Sequence, residues 1–108
     1  MAEDTLVVLS TFGSAEEARK IARVLVEERL AACANVLPGV ESIYRWQGAV
    51  ETAAEVLVMF KTNIDRYYRL EARLRELHSY EVPEIIALPV QVGSLPYLRW
   101  VDESCQDG

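Results

Sequence analysis

Histidine occurs once in this chain of 108 residues, at His78, and cysteine twice, at Cys33 and Cys105. A single imidazole with no nucleophile elbow leaves little raw material for triad chemistry, and no nucleophile–base pair is visible, so an enzyme is not expected. The 71-residue gap between the cysteines fits neither metal-finger spacing nor a disulfide framework. Neither GxGxxG nor GxxxxGKS/T occurs, which removes the Gly-rich phosphate cradles and any organic cofactor they would hold. No apolar run approaches the roughly 20 residues that a membrane helix needs. The N-terminus, MAEDTLVVLS, has neither a basic region nor a long apolar stretch, so no signal peptide is expected. Basic residues are in the minority, 11 against 17 acidic, for a formal net charge of −6. That balance argues against nucleic acid or an anionic membrane as partner. The cytoplasm, where thiols stay reduced, is the expected location.

The remaining composition is that of a folded protein: 51% hydrophobic and 26% charged. Residues 1–108 read as a single domain, with disorder expected only at Met1–Asp4 and Ser104–Gly108. Thr5–Phe12 contains Leu6-Val7-Val8-Leu9, a buried strand by composition and length. Ser14 and Glu17 form a capping box, in which the hydroxyl takes an amide and the Glu reaches back. The helix should run to about Arg29, burying Ala15, Ala18, Ile21, Ala22 and Leu25. Ala31–Trp46 is extended, with a bulge or bend at Pro38-Gly39. Gln47-Gly48 is a tight turn, and Val50–Lys61 returns as the partner strand, opposing Trp46 to Ala49 and Tyr44 to Glu51. Thr62 or Asn63 caps a second helix ending near His78, whose inner stripe is Ile64, Tyr67, Leu70 or Glu71, Leu74 and Leu77. Pro83 disfavours α at Val82, Ile85–Val92 is a strand that Pro89 confines to an edge or bulge, and Leu95–Glu103 is a short helix. The order β-α-β-β-α-β defines an α+β, ferredoxin-like split βαβ sandwich with a short C-terminal helix.

Such a fold places both helices on one face of its sheet. The strand cores Leu6–Leu9, Val56–Phe60 and Ile85–Leu88 are apolar on both faces, where a half-exposed strand should alternate. One short helix cannot cover the second face, so the chain is expected to oligomerise. Tyr44 and Trp46, two apart near the hairpin tip, read as an interface pair.

The candidate chemistry is sparse. His78, Glu81 and Glu84 offer an imidazole and two carboxylates, usable by a divalent metal. The competing reading places His78 at a helix C-terminus as a dipole partner. Cys33, in Ala31-Ala32-Cys33-Ala34-Asn35, reads as packing first and as a metal ligand second. Cys105 is expected to be exposed in the tail.

The segment Glu28-Arg29-Leu30-Ala31-Ala32-Cys33-Ala34-Asn35-Val36-Leu37-Pro38-Gly39-Val40, followed by Ser42-Ile43-Tyr44-Arg45-Trp46-Gln47-Gly48, closely resembles the CutA divalent-cation tolerance family. The resemblance continues through Glu55-Val56-Leu57, Lys61-Thr62, the run from Leu77 to Val90, Gly93 and Tyr97-Leu98-Arg99-Trp100. The usual family form His-Pro-Tyr-Glu carries Ser79 in place of proline here. The resemblance implies a homotrimer with a ferredoxin-like fold, similar in fold to PII signalling proteins and associated with tolerance of copper and other divalent cations. It also implies an inter-subunit cleft drawn from Cys33, Tyr44, Trp46, Glu51, Lys61, His78, Tyr80, Glu81 and Glu84. Two functions follow as expectations. One is a metal-binding protein, with copper as the ion and His78 as its best single ligand. The other is a PII-like regulator or scaffold that takes a small anion, for which Lys61 is suited, or a protein partner.

Overall fold

A computed structural model of the chain describes residues 4–106. Met1–Glu3, Asp107 and Gly108, part of the expected disordered ends, lie outside the described residues. The elements are β1 (Thr5–Phe12), α1 (Ala15–Glu27), β2 (Cys33–Trp46), β3 (Ala49–Asn63), α2 (Ile64–Leu77), β4 (Ile86–Pro89) and α3 (Leu95–Ser104). The sheet order is β2-β3-β1-β4 and every neighbouring pair is antiparallel, so the split βαβ reading holds.

The caps show how local chemistry starts each helix. Ser14 Oγ accepts from the Glu17 amide at 3.1 Å, satisfying one of the amides that a helix start leaves unpaired. The return half of the capping box is absent: the Glu17 carboxylate instead accepts from the Ser79 amide at 2.9 Å. Of the two candidates for the second cap, Asn63 serves, accepting from Arg66 N at 3.0 Å. Thr62 is diverted, donating its hydroxyl to the Leu30 carbonyl at 2.7 Å.

Even-numbered residues of β1 and β3 meet the helices. Val8 lies opposite Phe60 and Phe12 opposite Val56, all buried beneath Ala18, Ile21, Leu25, Leu70 and Leu74. Ile64, expected on the inner stripe of α2, is exposed, because the buried stripe runs through Arg66, Leu70 and Leu74 and Ile64 lies off that face.

Odd-numbered residues face away from the helices. Leu9, Leu57 and Met59 are half-buried there, and Leu37, Ile86 and Leu88 are exposed. The face that two-sided apolarity predicted is therefore largely bare. α3 reaches only one end of it, where Tyr97 meets Cys33, and its later turns pack Val101 and Cys105 with Ala32. Cys105, expected in an exposed tail, is buried at 1% exposure, because α3 runs one residue further than expected and Cys105 becomes its C-cap. β4 is shorter than the expected Ile85–Val92: it lies at a sheet edge and ends at Pro89, which has no amide for the ladder.

β2 and β3 outrun the rest of the sheet. β1 stops pairing at Phe12–Val56, whereas the β2–β3 ladder continues past Val40–Glu55 to Trp46–Ala49. The register shifts between Leu37 and Val40, the bulge foreseen at Pro38-Gly39. Residues 40–55 thus form a two-stranded arm that projects beyond the body and helps stretch the molecule to 44 Å along its long axis.

Candidate functional site

The expected site residues fall into three separate places. The first is the corner where β1 leaves the sheet. Here His78, the C-cap of α2, is buried and stacked on Phe12, with ring centroids 4.5 Å apart and planes at 12°. Its Nδ1 accepts from the Tyr80 amide at 3.0 Å. That bond fixes the tautomer, so Nε2 carries the hydrogen and donates to the Thr11 carbonyl at 2.8 Å. Both ring nitrogens are engaged within the chain, and neither offers a free lone pair. The Tyr80 hydroxyl donates to Glu55 Oε2 at 2.6 Å. Burial and then this bond push the Tyr80 phenol well above its usual range. Glu81 and Glu84 follow in the next loop, both exposed.

The second place is the open sheet face. Cys33 on β2 lies opposite Lys61 on β3, and the Lys61 ammonium donates to Asn35 Oδ1. The half-exposed Cys33 thiol sits 3.7 Å from the Tyr97 hydroxyl of α3. That contact, with lesser burial, raises the Tyr97 phenol. Tyr97 and Trp100 pack together at 5.6 Å, yet both remain exposed.

The third place is the arm. Tyr44 and Trp46 share one face with Ala49 and Glu51, in the register that a two-residue turn predicts. Ile43 and Val50 occupy the other face, and all four large side chains are exposed. A two-stranded ribbon with apolar groups on both faces is marginal in water by itself.

Among the described residues, no group of three or more His, Cys, Asp or Glu side chains converges as a metal-holding cluster. A shallow cleft of about 850 Å³ lies elsewhere, between the end of α1 and α2. Arg73 crosses it as a clasp, its two nitrogens on Glu28 at 2.9 Å and a third on Glu76 at 2.7 Å, which holds the Glu28 carboxyl below its usual range. Of the expected site residues only Glu81 lines this cleft. Three residues outside the expected site set matter here: Glu17 and Glu55, which anchor the Ser79–Tyr80 turn, and Tyr97, which meets Cys33. Glu55 carried the one available signal, a carboxylate directly before the apolar run Val56–Phe60.

Charge is divided between the layers. α1 and α2 carry seven basic residues against six acidic, whereas the rest of the chain carries four against eleven. The net negative charge therefore belongs to the strands, turns and ends. No helix among the described residues is long and apolar enough to cross a membrane.

A four-stranded antiparallel sheet with paired helices on one face, a bare opposite face and a projecting arm defines a ferredoxin-like α+β protein. The CutA1 divalent ion tolerance protein family matches residues 6–104, and the chain belongs to that family. The Divalent-cation tolerance protein CutA of Thermus thermophilus is 52% identical over 98 residues, covering 91% of this chain and 95% of that protein. The human Protein CutA is 51% identical over 84 residues, 78% of this chain but 47% of the human one, so the chain spans about half of that relative. The crystal structure of CutA1 from Oryza sativa superposes with a TM-score of 0.94 at 38% identity, covering 99% of this chain and 98% of that one.

Proposed function

We propose that the chain acts as a homotrimeric, non-enzymatic protein of divalent-cation tolerance in the cytoplasm, engaging copper at Cys33 on the face where copies meet. The observation that carries this reading is the place of Cys33, a half-exposed thiol on the bare apolar face of the sheet. Sulfur is the softest donor the chain has and suits copper, above all Cu(I). His78 leaves the ligand set, because binding there would cost both of its hydrogen bonds. One thiol is a poor closed site, and a trimer pools three. The apolar face and the two-faced arm support assembly, the family resemblance supplies the number three, and a closed ring hides edges that would otherwise aggregate. The acidic surface outside the helices raises the local concentration of cations, with Glu81 and Glu84 as harder, weaker contacts.

Light scattering coupled to gel filtration should give about three times 12.2 kDa. A stable monomer at micromolar concentration would sink the assembly reading. Competition titration with Cu(I) under reducing conditions should show binding lost in Cys33→Ser and kept in Cys105→Ser. Equal uptake by the native chain and Cys33→Ser would overturn the copper site. Binding of a small anion that depends on Lys61 would then favour the regulator reading.

A further inference from the structure

We propose that His78 and Tyr80 form a hydrogen-bonded relay that sets the pitch of the β2–β3 arm against the body, with His78 as a positioning residue and no metal ligand. The relay begins and ends on the two strands that part company at the corner. β1 turns away at Gly13, one residue after Phe12 makes its last pairing with Val56. Glu55, the next residue outward on β3, has no β1 neighbour and is the first residue of the arm. A ribbon that loses its third strand there is free to twist and swing.

Tyr80 occupies the vacated position. Its hydroxyl lies beside Gly13, about 3.5 Å from where a Cβ would stand, and donates to Glu55 at 2.6 Å. The Tyr80 amide is held by His78 Nδ1, and His78 Nε2–H is held by the carbonyl of Thr11 on β1. The chain of bonds therefore runs from the last turn of β1 through the imidazole and the phenol to the base of the arm. The stack on Phe12 keeps the imidazole from rotating out of line, and the Glu17 carboxylate pins the Ser79 amide between the two rings. Every link is a single directional bond. Together they give the arm a bearing that its own ladder does not supply.

The inference concerns the arm's angle and stands whether or not the copies form a trimer; its benefit to assembly rests on the proposed function. A mere core stack predicts that the Tyr80 hydroxyl is dispensable, because the phenyl ring alone fills the corner. Hydrogen–deuterium exchange of the full chain, read by mass spectrometry, separates the two. Tyr80→Phe should speed amide exchange in residues 40–55 by about tenfold, the value of one hydrogen bond to a charged acceptor, relative to β1 and α2 in the same sample. Glu55→Gln, which keeps an acceptor, should restore near-native rates, whereas Glu55→Ala should match Tyr80→Phe. Oligomer mass measured on the same samples keeps this result apart from the assembly reading. If the arm exchanges at the native rate in both Tyr80→Phe and Glu55→Ala, the relay is wrong. It is equally wrong if exchange rises by the same factor in the arm, β1 and α2, since that is the signature of a structural role alone.

Discussion

At the residue scale, Ser79 stands where the family resemblance implies a proline, and the structure gives the serine a use. A proline there has no amide, so it could not donate to Glu17 as Ser79 does at 2.9 Å. The preceding residue already has the extended backbone that proline demands, with His78 at φ −72° and ψ 141°. Ser79→Pro should therefore fold, trading one charge-assisted bond for a stiffer unfolded chain. Glu17→Ala should destabilise the present chain by about 1 kcal/mol more than it destabilises Ser79→Pro, since only the former has the bond to lose. Equal losses in urea denaturation would show that Glu17 acts through the helix start alone. None of this was legible in the sequence. The pairing of Ser14 with Glu17 looked like a complete capping box, and nothing in the local pattern shows that a carboxylate will prefer an amide 62 residues away. The His78–Thr11 bond, spanning 67 residues, is hidden for the same reason.

At the element scale the sequence was far more informative, because elements follow from neighbours. Gln47-Gly48 fixed a two-residue turn, and with it every cross-strand partner from Tyr44–Glu51 to Trp46–Ala49. Both turn residues have positive φ, 49° at Gln47 and 82° at Gly48, the pattern of a type I′ turn. Gly48 meets this freely, whereas Gln47 holds a conformation that resists a Cβ. Gln47→Asn should thus raise stability by about 0.5 kcal/mol, and Gly48→Val should lower it by about 1 kcal/mol or more. A Gln47→Asn chain with an unchanged or lower urea midpoint would refute the strain at that position. What failed at this scale failed at ends. Periodicity counts Ile64 inward, but the buried stripe of α2 is set by Arg66, Leu70 and Leu74, and Ile64 falls off that face and meets water. β4 was drawn too long because Val90 and Val92 look strand-like. Val90 does keep one backbone bond, to Thr5 at 2.9 Å, but the ladder ends at Pro89.

At the scale of the whole molecule, the tyrosine phenols contribute to how stability falls in alkali. Tyr80, Tyr67 and Tyr97 all hold their protons above the usual range in the folded chain, Tyr80 and Tyr67 chiefly through burial and Tyr97 chiefly through Cys33. The unfolded chain ionises its tyrosines near pH 10. A group whose folded pKa is raised contributes its full stability below the unfolded pKa and loses it as pH climbs from there through the folded pKa. The urea midpoint should therefore fall between about pH 9 and pH 11, and Tyr80→Phe should flatten the fall. An identical slope in that variant would show that Tyr80 is not among the groups responsible. The bare sheet face was legible at this scale because apolar residues occurred on both sides of each strand core. The division of charge was not, since it appears only once α1 and α2 are set apart from the rest.

The burial of Cys105 makes the molecule its own stopwatch. Its thiol is sealed under α3 against Ala32 and Val101, with Thr62 Oγ1 at 3.8 Å, and burial pushes its ionisation upward. An aqueous thiol reagent can reach it only when α3 lifts, so its labelling in native buffer reports the open population, and at saturating reagent the rate of opening itself. A Cys33→Ser chain would carry that one hidden thiol and would report, without any probe attached, how often the cover comes off. The same arithmetic governs oxidation: damage at this site scales with how often the helix stands open, and only an oxidant faster than its reclosing is held to the tempo of the helix itself.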